Sequence, residues 1–101
     1  MGRKERAKPR RLAEKLLRIR EALNLTIEEM IQRLDYPELP LYRASITEYE
    51  KGRREPPLLI LMQYARAANV FLEVLVDDLL DLPEELPSKN KKQDDSDYGF
   101  R

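Results

Sequence analysis

Cysteine and histidine are both missing from the 101 residues of this chain. Their absence removes disulfides, thiol nucleophiles, imidazole general bases and the common soft or borderline metal sites. Carboxylates alone can hold a hard cation, but no loop places them at ligand spacing. No metal or cofactor is therefore expected, and an enzyme is a poor reading because no set of activated groups assembles. Long apolar runs are missing too. None approaches the roughly 20 residues of a membrane span, and the N-terminus lacks the apolar stretch of a signal peptide, so a cytoplasmic protein with no membrane association is expected.

What is present is charge, and it is unevenly spread. The formal net charge is zero, yet residues 1–20 carry nine lysines and arginines against Glu5 and Glu14 alone. The rest of the chain holds the compensating acid. A basic end follows a polyanion while an acidic end keeps other surfaces off it; the plainer alternative is a solvated charged tail. Residues 1–8, with almost nothing apolar to bury, read as a flexible basic arm.

From Pro9 to Leu82 the apolar spacing is helical throughout, with no strand signal and no internal repeat. Pro9 suits a first helical turn, and Leu12, Leu16, Ile19 and Leu23 form one face of a helix over 10–23, closed by Asn24. Thr26 with Glu29 makes a capping box for a second helix to about Leu34, which buries Ile27, Met30, Ile31 and Leu34. The two prolines of "DYPELP", residues 35–40, forbid its continuation. Helical spacing resumes over 42–50 with Ile46 and Tyr49 inward, and Gly52 stops it. A fourth helix spans Leu58 to Ala68 and ends at Asn69. A fifth runs from about Phe71 to Leu80. Residues 83–101 read as a flexible polar tail without a core. The fold class is all-α, in one small domain over 9–82.

Three stretches go further than periodicity. "LLRIREALNLTIEEM", "ASITEYEKGRREPP" and "LMQYARAANVFLEVL" closely resemble the Xre/Cro-type helix-turn-helix family of phage repressors and bacterial transcription regulators, over about residues 10–80. The pieces Ile46-x-x-Tyr49-Glu50-x-Gly52-x-Arg54-x-Pro56 and Ala65-x-Ala67-x-x-Val70 carry the match. The resemblance implies a compact five-helix lambda-repressor-like domain that binds double-stranded DNA with its third helix in the major groove. It implies base contacts from Arg43, Ala44, Thr47 and Glu48: a fork from Arg43 onto guanine, acceptance by Glu48 from a cytosine amino group, and the Ala44 methyl against thymine. It assigns phosphate contacts to Lys51, Arg53 and Arg54 in the following turn, to Ser45, and to Arg10 and Arg11 of the arm. Arg20 and Glu50 match a pair that ties the first and third helices and presents the arginine to a phosphate. The plainer view is a polar, solvated helix face and an ordinary surface ion pair.

The sequence departs from that family in the turn. Asp35, in the usual glycine place, precedes Ile46 by eleven residues where the family has about six. Five residues are therefore added, enough to span roughly 17 Å when extended. Tyr36, Leu39 and Leu41 offer apolar anchors, so a defined loop is expected. Ile31 stands where the family generally has alanine, and Ile27 replaces the glutamine that meets a phosphate.

The fourth helix is apolar almost all round, and the fifth has an apolar arc of about 180° where a single core needs little more than about 100°. A homodimer is expected to cover the surplus through Leu59, Ile60, Phe71, Val74, Val76 and Leu80, reading an inverted repeat with half-sites roughly 34 Å apart. A generously packed core is the plainer alternative. Glu73, Asp77, Asp78 and Asp81 are expected to face solvent. A second reading is a protein-interaction module on the same scaffold, such as an antitoxin or antirepressor, docking through helices 4 and 5 and the 35–41 loop.

Overall fold

Three residues in the left-handed conformation, Asn24, Asp35 and Asn69, mark three helix ends. Asparagine and aspartate tolerate this region better than other side chains, which is why they stand at these positions. The computed structural model describes residues 8–87 and holds five α-helices and no strand among them. They are α1 (Leu12–Leu23), α2 (Ile27–Leu34), α3 (Arg43–Glu50), α4 (Leu58–Ala68) and α5 (Leu72–Val76). The architecture is all-α, as the apolar spacing predicts. Most of the predicted arm and the end of the predicted tail lie outside the described residues.

One core joins all five helices. Leu16 and Ile19 of α1, Met30 and Leu34 of α2, Ile46 of α3, Ile60 and Tyr64 of α4 and Leu75 of α5 are fully buried. Each such aliphatic side chain contributes about 1.5–3 kcal/mol relative to exposure. The helix starts follow local chemistry. The Thr26 hydroxyl accepts from the Glu29 N–H at 3.1 Å while the Glu29 carboxylate accepts from the Thr26 N–H at 2.8 Å. Both halves of the expected capping box are present.

The long connection between α2 and α3 is anchored. Tyr36, Leu39 and Leu41 pack against the core, and the Leu39 N–H donates to the Tyr36 carbonyl at 3.2 Å. Gln63 of α4 donates from Nε2 to the Leu34 carbonyl at 2.7 Å, capping the end of α2 from outside it. The exit of α3 turns through Gly52 at φ 75°. A Cβ there would lie 3.5 Å from the Ala13 Cβ, so this turn rests directly on α1.

α1 begins at Leu12 and α3 at Arg43, slightly later than expected, and two further boundaries differ more. α5 ends at Val76, not near Leu80, because its carbonyls and those of the next turn are drawn to Lys15 of α1. The Lys15 ammonium donates to the Val74, Asp77 and Leu80 carbonyls at 2.8, 3.0 and 2.7 Å. Asp77 also bends the chain locally, its carboxylate accepting from the Leu79 N–H at 2.9 Å, a competition with helix typical of aspartate. The packed unit also continues past the predicted end at Leu82: Leu86 is 2% exposed and belongs to the core. A single leucine in a polar stretch has no periodicity to reveal it.

Candidate nucleic-acid interface

Helix α3 buries Ser45, Ile46 and Tyr49 and turns its other faces outward. Arg43 and Ala44 are exposed, and Thr47 and Glu48 half-exposed. The four residues assigned to base contact thus lie on the side of α3 away from the core. The exposed Lys51, Arg53 and Arg54 follow at once in the turn. That turn is shaped by the Glu48 carbonyl, which accepts from the Arg53 and Arg54 N–H groups at 2.9 and 3.4 Å.

Arg20 and Glu50 hold α3 against α1. Arg20 Nε reaches Glu50 Oε2 at 2.7 Å and Nη2 reaches Oε1 at 3.0 Å, while Nη1 donates to the Leu25 carbonyl at 3.1 Å. The side chains are 19% and 8% exposed. The fork of hydrogen bonds to Glu50 holds the guanidinium pKa above its usual value. The helix tie expected of this pair is present, and much of the Arg20 donor set is spent inside the molecule.

Several other assigned residues are also engaged. Arg43 pairs with Glu28 of α2, and this hydrogen bond holds the Glu28 carboxyl below the usual carboxylate range. The Ser45 hydroxyl accepts from the Tyr42 N–H at 3.2 Å and Ser45 is buried. Its side chain thus caps the first turn of α3. The Arg11 guanidinium donates to the Asp78 carbonyl at 2.8 Å and to Asp81 at 2.6 Å. The Arg10 side chain remains exposed.

Sequence reasoning missed the reason for that arrangement. The Asp78 carboxylate accepts from the Arg10 N–H at 2.9 and 3.1 Å and from the Arg11 N–H at 3.0 Å. It therefore caps the start of α1 from 68 residues away. These backbone donors hold the Asp78 carboxyl below its ordinary value, and the Arg11 hydrogen bond does the same for Asp81. Asp78 and Asp81 thus face the start of α1, contrary to the expectation that they point only into solvent. Lys15, 2% exposed, completes this junction, and burial lowers its pKa. Its position between Leu12 and Ile19 on the apolar face of α1 was the available signal: a cation there must meet acceptors. Asp78 gave none, since its acidic neighbours read as a solvated surface.

On the assigned dimer face the helices divide. Ile60 is fully buried in its own chain and is withdrawn from that face. Val74 and Val76 pack partly against the core, and Leu80 is half-buried. Leu59 at 49% and Phe71 at 79% exposure stay open, joined by Leu58 at 62% and Leu79 at 90%.

A cleft of about 220 Å³ opens between the start of α1 and the turn after α3. Lys8, Arg10, Arg53 and Arg54 line it together, bringing arm and turn to one place. No described helix is long and apolar enough to cross a membrane. No family model matches the chain, and no curated protein or solved structure matches it either.

Proposed function

We propose that the chain is a sequence-specific double-stranded DNA-binding transcriptional regulator without enzymatic activity, a repressor or autoregulator that reads an inverted repeat as a homodimer. The observation that carries this is the continuity of α3 with its turn. A helix whose outward side offers Arg43, Ala44, Thr47 and Glu48 runs straight into exposed Lys51, Arg53 and Arg54. The first set has the chemistry of base edges and the second that of phosphates. The Arg20–Glu50 tie supports it by fixing α3 relative to α1. The resemblance to Xre/Cro-type regulators points the same way.

Arg43 must exchange Glu28 for a guanine to contribute, and the exposed position of both side chains makes that exchange cheap. The test is selection of bound sites from a random duplex library, repeated with Arg43→Ala. A preferred half-site that relaxes at one position in the variant is expected. An unselective library, unchanged by Arg43→Ala, would sink the reading.

The open Leu58, Leu59, Phe71 and Leu79 favour a protein contact, and the antitoxin or antirepressor reading uses the same residues for a different chain. Mass measurement by light scattering separates them: a dimer in isolation supports the regulator, and a monomer that becomes stable only with a second protein supports the alternative.

A further inference from the structure

We infer that the cleft between α1 and the turn after α3 is a binding site for a small phosphomonoester, an effector that competes with DNA. Four cations reach it from two segments more than forty residues apart: Lys8 and Arg10 from one side, Arg53 and Arg54 from the other. Glu55 is the one carboxylate in its lining. The contrast with the other arginines of this region is informative. Arg11, Arg20 and Arg43 each pair with a carboxylate of the same chain, Arg20 with a largely buried one. The side chains of Lys8, Arg10 and Arg54 make no ion pair among the described residues, and Arg53 has only a 3.6 Å contact with Glu48. Four cationic residues lining one cavity, three of them without an ion pair among the described residues, match the chemistry of a terminal phosphate, which takes several charge-assisted hydrogen bonds at once.

The rest of the cleft is different in character. Leu12, Ala13 and Pro56 line it, with Tyr49 and the bare backbone of Gly52. A lining that mixes apolar and cationic residues selects a phosphate carried on a carbon skeleton over the free ion. The volume sets the size: about 220 Å³ is below the roughly 300–1,000 Å³ of drug-sized pockets and holds the equivalent of about seven waters. A short sugar or polyol phosphate fits that space better than a dinucleotide. Because Arg53 and Arg54 also serve the proposed DNA contact, this inference rests on that reading: an ester in the cleft withdraws two backbone contacts, and binding of ester and duplex must oppose each other reciprocally.

The direct test needs no DNA. Calorimetric titration of the full chain at low salt would use ribose 5-phosphate, ribose and inorganic phosphate as probes, with thermal unfolding of every variant as a check on folding. One ribose 5-phosphate per chain is expected, with inorganic phosphate weaker by about tenfold and ribose silent. Lys8→Glu and Arg10→Glu, both at exposed positions, are each expected to weaken the ester by about tenfold while melting as the wild type does. Failure of ribose 5-phosphate to bind at millimolar concentration overturns the site, as does equal affinity for inorganic phosphate or indifference to both charge reversals. A competition arm follows on a selected duplex. A chain that binds the duplex but not the ester loses this site alone, whereas one that binds the ester but no duplex keeps the site and loses the DNA reading.

Discussion

Arg20 and Glu50, thirty residues apart, meet side-on through two hydrogen bonds of 2.7 and 3.0 Å at the junction of α1 and α3. A bidentate pair of this kind fixes direction as well as distance, so it controls the attitude of α3. Arg20→Lys keeps the charge but loses the fork. A destabilisation of about 2 kcal/mol is expected, most of it shared with Glu50→Gln in a double-mutant cycle, because a partly buried partner is left unpaired. Urea unfolding of the four proteins measures it, and additive losses would mean that the pair is incidental.

Lys15 makes a second test, free of DNA. Lys15→Met retains the aliphatic stem but leaves the Val74, Asp77 and Leu80 carbonyls without their donor. A loss on the order of 3 kcal/mol is expected from these unsatisfied acceptors. Hydrogen exchange in α5 should rise more than in α3, since the junction holds the C-terminal segment.

Acid should loosen the same junction. The Asp78 and Asp81 carboxyls lie below their ordinary values when folded, as does Glu28. The unfolded chain therefore binds more protons than the folded one in the acid range. Their contribution is complete above the unfolded carboxylate pKa of about 4 and disappears as pH falls through the lower folded values. Unfolding midpoints measured from pH 7 to pH 3 should fall, and Asp78→Asn should flatten that dependence.

Asp35 sits at φ 45° and ψ 60°, a conformation that suits glycine better. Asp35→Gly is expected to stabilise the fold by about 0.5–1 kcal/mol, because the αL strain goes while the helix end stays the same. Thermal unfolding reads this directly. A loss of stability would show that the aspartate side chain has a role of its own.

Arg54 offers a DNA test separate from base reading. Arg54→Ala should weaken all duplexes nearly alike and reduce the slope of log affinity against log salt by about one. Fluorescence anisotropy at several salt concentrations measures it. A change confined to one base position would reassign Arg54 from phosphate to base.

Helix placement was legible because its signals are local. Thr26 with Glu29, the left-handed Asn24 and Asn69, and the leucines of α1 act within one or two turns, and α4 falls on the predicted residues. The candidate DNA face was legible in part, since Ile46 and Tyr49 mark the inward side of α3 and leave the outward side by subtraction. Partners were less so. Nothing near Arg43 in the sequence names Glu28, and nothing near Arg11 names Asp81.

By its residues alone, then, this chain dictates five helices, the capping box of α2 and the left-handed ends of α1 and α4, because hydrogen bonds and apolar spacing within a turn need no distant partner. Tertiary packing alone decides that Ile60 and Leu86 join the core and that Asp78 closes the start of α1. Those outcomes depend on which groups arrive opposite one another after some 60 residues of chain have folded back. Once buried, each polar group must take the partner it finds there, because an unmade hydrogen bond away from water costs about 1–3 kcal/mol.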